Sequence, residues 1–167
     1  MARRSKSDIA NSAVRILLQD VGRLYDQRRG FEPFRGKNDL PVLVDFFGGR
    51  CCFCDAEFRP GNRATLDHLV PMNKESCGLD AWGNVVPCCR NCNGDKQAES
   101  WTKFIDRKVA SKAVRTDRKK RVRAFIRKYK YAPPFALAPV ADELYGEVGA
   151  ISKTLIDVKL DRLQADL

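Results

Sequence analysis

Apolar residues return at helical spacing towards both ends of the chain and gather into short, strand-like runs in its middle. In residues 7–28, Ile9, Ala13, Leu17, Val21 and Leu24 recur every three or four positions, the single apolar stripe of an amphipathic helix. Gly30 and Pro33 predict its end. Asp39 stands where it can cap a short helix starting near Pro41, with Val42, Leu43, Phe46 and Phe47 facing inward. Gly48-Gly49 then turns the chain. Two apolar-leaning runs, 53–58 and 63–69, flank the turn-forming Arg59-Pro60-Gly61-Asn62 and predict a β-hairpin. A polar loop over 72–83 follows, and 90–96 predicts a short helix.

Helical periodicity then resumes. Residues 99–109 place Trp101, Phe104, Ile105 and Val109 on one side, and 115–131 place Val122, Phe125, Ile126 and Tyr129 likewise. These apolar residues are expected in a core rather than stacked on bases. Pro133 and Pro134 interrupt the pattern. It returns over 142–163 with Leu144, Val148, Ile151, Leu155 and Val158, a stripe suited to packing on the first helix or pairing with another subunit. The expected fold class is α+β, a small β-containing module embedded in a mostly helical chain.

At 167 residues the chain suits one domain with extensions, and 44% hydrophobic content allows a modest core. No apolar run reaches the length of a membrane-spanning helix. The N-terminal Met-Ala-Arg-Arg-Ser-Lys-Ser-Asp has no apolar stretch behind it, so no signal peptide is expected. Charge changes the picture more. Residues 103–130 hold thirteen Lys or Arg against only Asp106 and Asp117, which more than accounts for the net +10. A solvated helix face normally mixes signs, and this one hardly does, so nucleic acid is the expected partner.

The seven cysteines carry the strongest chemical signal. Cys51-x-x-Cys54 and Cys89-x-x-Cys92 are two knuckles whose spacing suits one tetrahedral four-thiolate zinc site. An odd cysteine count and paired knuckles favour metal in a reducing compartment over disulfides, hence a cytoplasmic protein. Cys52 and Cys88 give poorer ligand spacings and are expected to be small buried residues; Cys77 fits neither knuckle. Between the knuckles lies His68, the only histidine, directly after Asp67. Neutral imidazole can take a proton from water near pH 7. Asp67 and Asn93 offer hard oxygens that suit Mg²⁺ or Mn²⁺, although a strand-end acid and a helix-terminus hydrogen bonder are the plainer roles for them.

Four motifs in order, Cys51-x-x-Cys54, Asp67-His68-Leu69-Val70-Pro71, Gly83-Asn84-Val85-Val86-Pro87 and Cys89-x-x-Cys92-Asn93-x-x-Lys96, resemble the HNH endonucleases in their four-cysteine, zinc-bearing ββα-metal branch. Asn93 stands where the family name expects a last histidine. The resemblance implies a metal-dependent endonuclease acting on DNA, or on RNA. His68 would be the general base, Asp67 and Asn93 would hold the catalytic divalent ion, and one structural zinc would sit on Cys51, Cys54, Cys89 and Cys92. It further implies that Asn84 ties down the loop and orients His68, and that Lys96 lies near the phosphate, unless it points into solvent. The remaining expected nucleic-acid contacts are Lys103, Arg107, Lys108, Arg115, Arg118, Lys119, Lys120, Arg121 and Arg123. The expected organisation is an N-terminal helical cover (1–50), the HNH module (51–98), a basic helical extension (99–132) and a C-terminal helix (133–167), the last able to join a homodimer or a larger complex.

Overall fold

The computed structural model describes residues 6–132 and 137–165. Among them run six α-helices and a two-stranded antiparallel sheet, an α+β fold. In chain order these are α1 (Lys6–Arg28), α2 (Leu40–Phe46), β1 (Ala64–His68), β2 (Val85–Cys89), α3 (Arg90–Lys96), α4 (Trp101–Lys108), α5 (Lys112–Lys128) and α6 (Leu137–Ala165). The expected break at Pro133 and Pro134 lies outside the described residues. No helix among them is long and apolar enough to cross a membrane.

The α1 helix forms as its periodicity predicts, but its buried stripe is displaced by one residue. Ala10, Val14, Leu18, Gly22 and Asp26 face the core, while Ile9 and Leu24 are exposed. Apolar counting could not find this register, because two of the five inward positions are a glycine and an aspartate. Each has a specific reason to be there. A Cβ at Gly22 would lie 2.6 Å from the carbonyl oxygen of Asp80, so the loop after β1 rests directly on the α1 backbone. Asp26 is fully buried and accepts hydrogen bonds from the backbone N–H groups of Phe34 and Trp82 while pairing with Arg29. It thereby ties α1 to the segment before β2. Replacing Asp26 by Ala leaves Arg29 without its counter-charge and two buried N–H groups without their acceptor. We expect a loss of about 3–5 kcal/mol, visible as a lowered unfolding midpoint in denaturant. An unchanged midpoint would contradict this account.

In α2, Leu43 and Phe47 turn inward as expected, whereas Val42 is exposed. Asp39 precedes the helix but does not cap it with its side chain. Its carboxylate instead accepts from the Arg35 backbone and guanidinium.

The central module also departs from the sequence reading. Strand β1 does not pair with residues 53–58. It pairs antiparallel with β2, in the register Ala64↔Cys89 through His68↔Val85. The Arg59–Asn62 turn does form, as an isolated bridge. The backbone of 53–58 is committed elsewhere, however. Cys51 N–H donates to the Ala56 carbonyl, Phe58 N–H to that of Gly49, and Asp55 reverses the chain at φ 64°. Meanwhile β2 is buried at every position, so it needs a ladder partner to satisfy its backbone. The resulting order is strand, long loop, strand, short helix.

Around this sheet one core cluster joins Leu43, Phe47, Phe53, Val85, Phe104 and Phe125. Helices α4 and α5 contribute Phe104, Ile105, Val122, Phe125 and Tyr129, with Ile126 packed against the cluster, so these apolar positions are core. Tyr129 stacks on Trp82 at 4.9 Å. A second cluster beneath α1 gathers Val14, Leu18, Leu79, Tyr131 and Ala141, and it also takes in Cys77. Helix α6 packs along α1, with Ala141 and Tyr145 in this second cluster and Leu144 and Val148 half-buried. Farther along, Ile151, Leu155 and Val158 are exposed.

Candidate active site and metal centre

The four knuckle cysteines converge. The sulfurs of Cys51, Cys54, Cys89 and Cys92 all lie within 4.8 Å of one another, and Cys54 Sγ is 3.7 Å from Cys89 Sγ. Four thiolates about 2.3 Å from one tetrahedral zinc stand roughly 3.8 Å apart, so the spacing fits that ion. Local structure presets the geometry. Cys89 ends β2 and caps α3, its sulfur accepting the Cys92 N–H at 3.4 Å, while its own N–H donates to Cys51 Sγ at 3.3 Å.

Thiols packed this closely share protons. Hydrogen bonds from Cys52, Cys54 and Cys92 push Cys51 far down, and those same bonds to Cys51 push Cys54 up to about 11 and Cys92 higher still. A divalent cation replaces the shared protons and removes that conflict. Burial pushes Cys52 and Cys88 well above the ordinary thiol range, which keeps them neutral beside the cluster. Cys77 is buried in the second core and donates to the Lys74 carbonyl.

The opposite end of β1 carries Asp67 and His68. His68 Nε2 lies 3.0 Å from Asp80 Oδ1. A carboxylate can only accept, so Nε2 carries the proton and Nδ1 keeps the lone pair of the neutral ring. No spacing or motif in the sequence marks Asp80. It reaches His68 because the loop between the strands folds back, and Asn84 holds that fold. The fully buried Asn84 amide accepts from Val70 N–H at 2.8 Å and donates to the carbonyls of Val70 and Leu79 at 3.1 and 2.8 Å. Gly78 permits the close approach, since a Cβ there would sit 1.9 Å from the Val70 oxygen.

Asp67 Oδ1 accepts the His68 N–H at 2.8 Å, while Oδ2 is buried without a hydrogen bond. Burial pushes its carboxyl up, opposed by the positive charge of Lys96. Lys96 corrects the sequence reading. Expected near a phosphate or in solvent, its side chain is completely buried, 3.4 Å from Asp67 Oδ2 and donating to the His68 carbonyl at 2.7 Å. At the end of α3, with β1 above it, it pins the Asp67–His68 pair from below and cannot reach a substrate. Asn93, one residue after the ligand Cys92, donates to Leu66 O at 2.9 Å and to Thr65 Oγ1 at 3.2 Å, which fastens α3 to β1. Its Oδ1 stays uncommitted among the described residues.

Asp67, His68 and Asn93 line one open cleft of about 420 Å³, with Met72, Asn73 and Gln97 at its edge. Asp67, whose Oδ2 is buried against the Lys96 ammonium, and the uncommitted Asn93 oxygen are hard donors on residues lining the same cleft, a pair of types suited to a small divalent ion. Arg15 of α1 lines this cleft as well, and no sequence signal singled it out. Residues 51–99 match the HNH endonuclease family. No curated protein matches the chain. The HNH segment therefore contains the knuckles, the sheet, Asn84 and the floor of the cleft, and the match supports a nuclease or nucleic-acid-related role. Asp80 belongs to this segment, whereas Arg15 comes from outside it.

The basic helices are less available than their composition suggests. Arg118 pairs with Asp55 at 2.6 Å and Arg121 pairs with it at 3.2 Å, while Lys119 pairs with Asp106 at 2.7 Å. Arg107 and Lys108 both pair with Asp95, Arg107 also with Glu99, and Arg115 donates to the Asp106 carbonyl. Many of these acids lie outside the run or on its own helices, so counting charge within 103–130 overstated the free cations. Lys103, Lys120 and Arg123 are exposed with no carboxylate partner among the described residues; Arg123 stands 5.9 Å over the Trp101 ring.

Proposed function

We propose that this chain is a divalent-metal-dependent endonuclease that hydrolyses DNA phosphodiester bonds in the cleft between β1 and α3, with His68 as general base. The observation that supports this most is the His68–Asp80 pair at 3.0 Å beside the Asp67 carboxylate and the uncommitted Asn93 oxygen. In this scheme Asp80 holds the Nε2 proton and keeps Nδ1 free to accept a proton from the attacking water. Asp67 and Asn93 would hold Mg²⁺ or Mn²⁺, which when bound neutralises the scissile phosphate and the departing oxygen. Asn84 fixes the loop that carries Asp80, and buried Lys96 fixes the strand end that carries His68. Zinc on the four cysteines is structural, with no open position for water.

Residues 51–98 form the catalytic module, 1–50 cover it, 99–132 add phosphate contacts and 133–167 provide the terminal helix, whose exposed Ile151, Leu155 and Val158 suit a further subunit. The setting is cytoplasmic. Supercoiled plasmid incubated with the purified protein and Mg²⁺ or Mn²⁺ should become nicked or linear, and brief EDTA that leaves zinc in place should stop it. Plasmid that is bound but never cut with any of these ions would leave a binding module instead.

Phosphate contacts should follow exposure rather than composition. Neutralising Lys103, Lys120 and Arg123 together should flatten the dependence of log K on log salt by roughly 0.9 per lost contact, equally for all sequences. Neutralising Lys119 and Arg121 should change the slope less, because their charges already face Asp106, Asp55 and Asp117. The reverse ranking would put the DNA on the ion-paired face.

A further inference from the structure

The cleft holding His68 does not end at the HNH segment. A second groove of about 460 Å³ runs over the N-terminal half of α1 and shares Arg15, Met72 and Asn73 with the first, so the two form one continuous track. Arg15 stands at the join. Among the described residues it is the only Lys or Arg lining either part, and it is exposed with no carboxylate partner there. The other cation near the centre, Lys96, is sealed beneath the strand. Beyond Arg15 the groove offers Asn11, while the Ser12 hydroxyl already donates to the Asp8 carbonyl at 2.7 Å, and one carboxylate, Asp8, is among its lining residues. Asn73 accepts the Ser76 N–H through Oδ1 at 2.8 Å, which leaves its amide N–H groups to donate into the track.

We infer that this groove is a binding site for the nucleic-acid backbone, in which Arg15 clamps a phosphate neighbouring the one held at His68. The inference rests on the proposed cleft chemistry and deepens it by giving the path of the substrate strand. Strong binding of a phosphodiester next to the reacting one needs a fixed cation, and a guanidinium supplies two parallel donors to phosphate oxygens. Neither the buried Lys96 nor the ion-paired arginines of α4 and α5 can do this at the cleft. The track therefore crosses α1, a helix the HNH segment lacks, and the N-terminal cover becomes part of the substrate site.

The test uses the full chain, a duplex oligonucleotide without added Mg²⁺ or Mn²⁺, and the plasmid assay. Arg15→Ala should bind duplex about 10-fold to 100-fold more weakly, as loss of one charge-assisted contact predicts. Its salt dependence should flatten by roughly 0.9, with zinc content and melting temperature unchanged. Arg15→Lys should restore most of the slope but only part of the affinity. Duplexes carrying a single neutral methylphosphonate should reveal a position beside the cleavage point that weakens wild type but not Arg15→Ala. Wild-type affinity and slope in Arg15→Ala would overturn the inference even if the plasmid is cut, and the nuclease reading would then stand without it. A wild-type protein that never cuts, yet loses duplex binding on Arg15→Ala, would defeat the nuclease reading and keep the groove. Equal loss toward a poly-glutamate peptide would make Arg15 a general anion contact and overturn the phosphodiester assignment, and failure of wild type to bind DNA at all would overturn both.

Discussion

His68→Ala is expected to abolish plasmid cleavage while leaving zinc content, fold and DNA affinity close to wild type. General-base catalysis supplies about 10²–10⁴-fold, so the residual rate should fall by that order. The side chain is only partly buried, and its single side-chain bond goes to Asp80, so truncation removes no core packing. Asp80→Asn should give an intermediate rate. An amide can donate to the ring as readily as it accepts, so it no longer dictates which imidazole nitrogen bears the proton. Asp67 calls for a different experiment, because Asp67→Ala leaves the buried Lys96 ammonium without its counter-charge and should destabilise the fold by about 3–5 kcal/mol. Pairing Asp67→Ala with Lys96→Met removes that penalty. A stable double variant whose activity partly recovers in excess Mn²⁺ separates loss of an oxygen donor from loss of fold. A His68→Ala protein that cuts at the wild-type rate would move the reaction away from this cleft.

What the sequence could and could not reveal divides along one physical line. Features set by near neighbours were legible: the two knuckles, the short helix after the second, and the helices around residues 101–108 and 112–128, whose apolar spacing matches the observed core. Features set by partners distant in sequence were not. Strand β1 has the composition of a hairpin arm, and only the burial of every β2 residue explains why it chooses 85–89 over 53–58. The α1 register was missed because Gly22 and Asp26 face inward to meet the Asp80 backbone and the Trp82 N–H. Within the cleft, Asp67, His68 and Asn93 sit on motifs, but Arg15 reaches it from a separate helix, and Asp80 reaches His68 through a folded-back loop. The positive run over 103–130 is less free than its composition suggests for the same reason, since Asp55, Asp95 and Glu99 pair with part of it from outside.

Loss of zinc should be the most destructive change available to this chain. Cys51→Ala or Cys92→Ala is expected to yield unfolded or insoluble protein, and metal analysis of the wild type should find about one zinc per chain. The apparent binding energy of a structural zinc site is on the order of 10–16 kcal/mol, comparable to the whole stability of a small domain. Nothing else among the described residues replaces it at that point. The first knuckle is a turn held to β2 by one backbone bond, from Cys52 N–H to the Pro87 carbonyl, and α3 has only seven residues. A metal held by the four sulfurs would join the knuckle to the junction of β2 and α3. From there the β1–β2 register sets His68, and α3 sets Asn93 and Lys96, so the cleft is built outward from the four-cysteine cluster. Cys52→Ala and Cys88→Ala serve as controls. Both thiols are buried and neutral, and losing either sulfur should cost about 1 kcal/mol with zinc retained. If instead Cys52→Ala or Cys88→Ala released the metal, the ligand register would be shifted by one residue. If Cys92→Ala kept both zinc and fold, the four-sulfur site itself would be disproved.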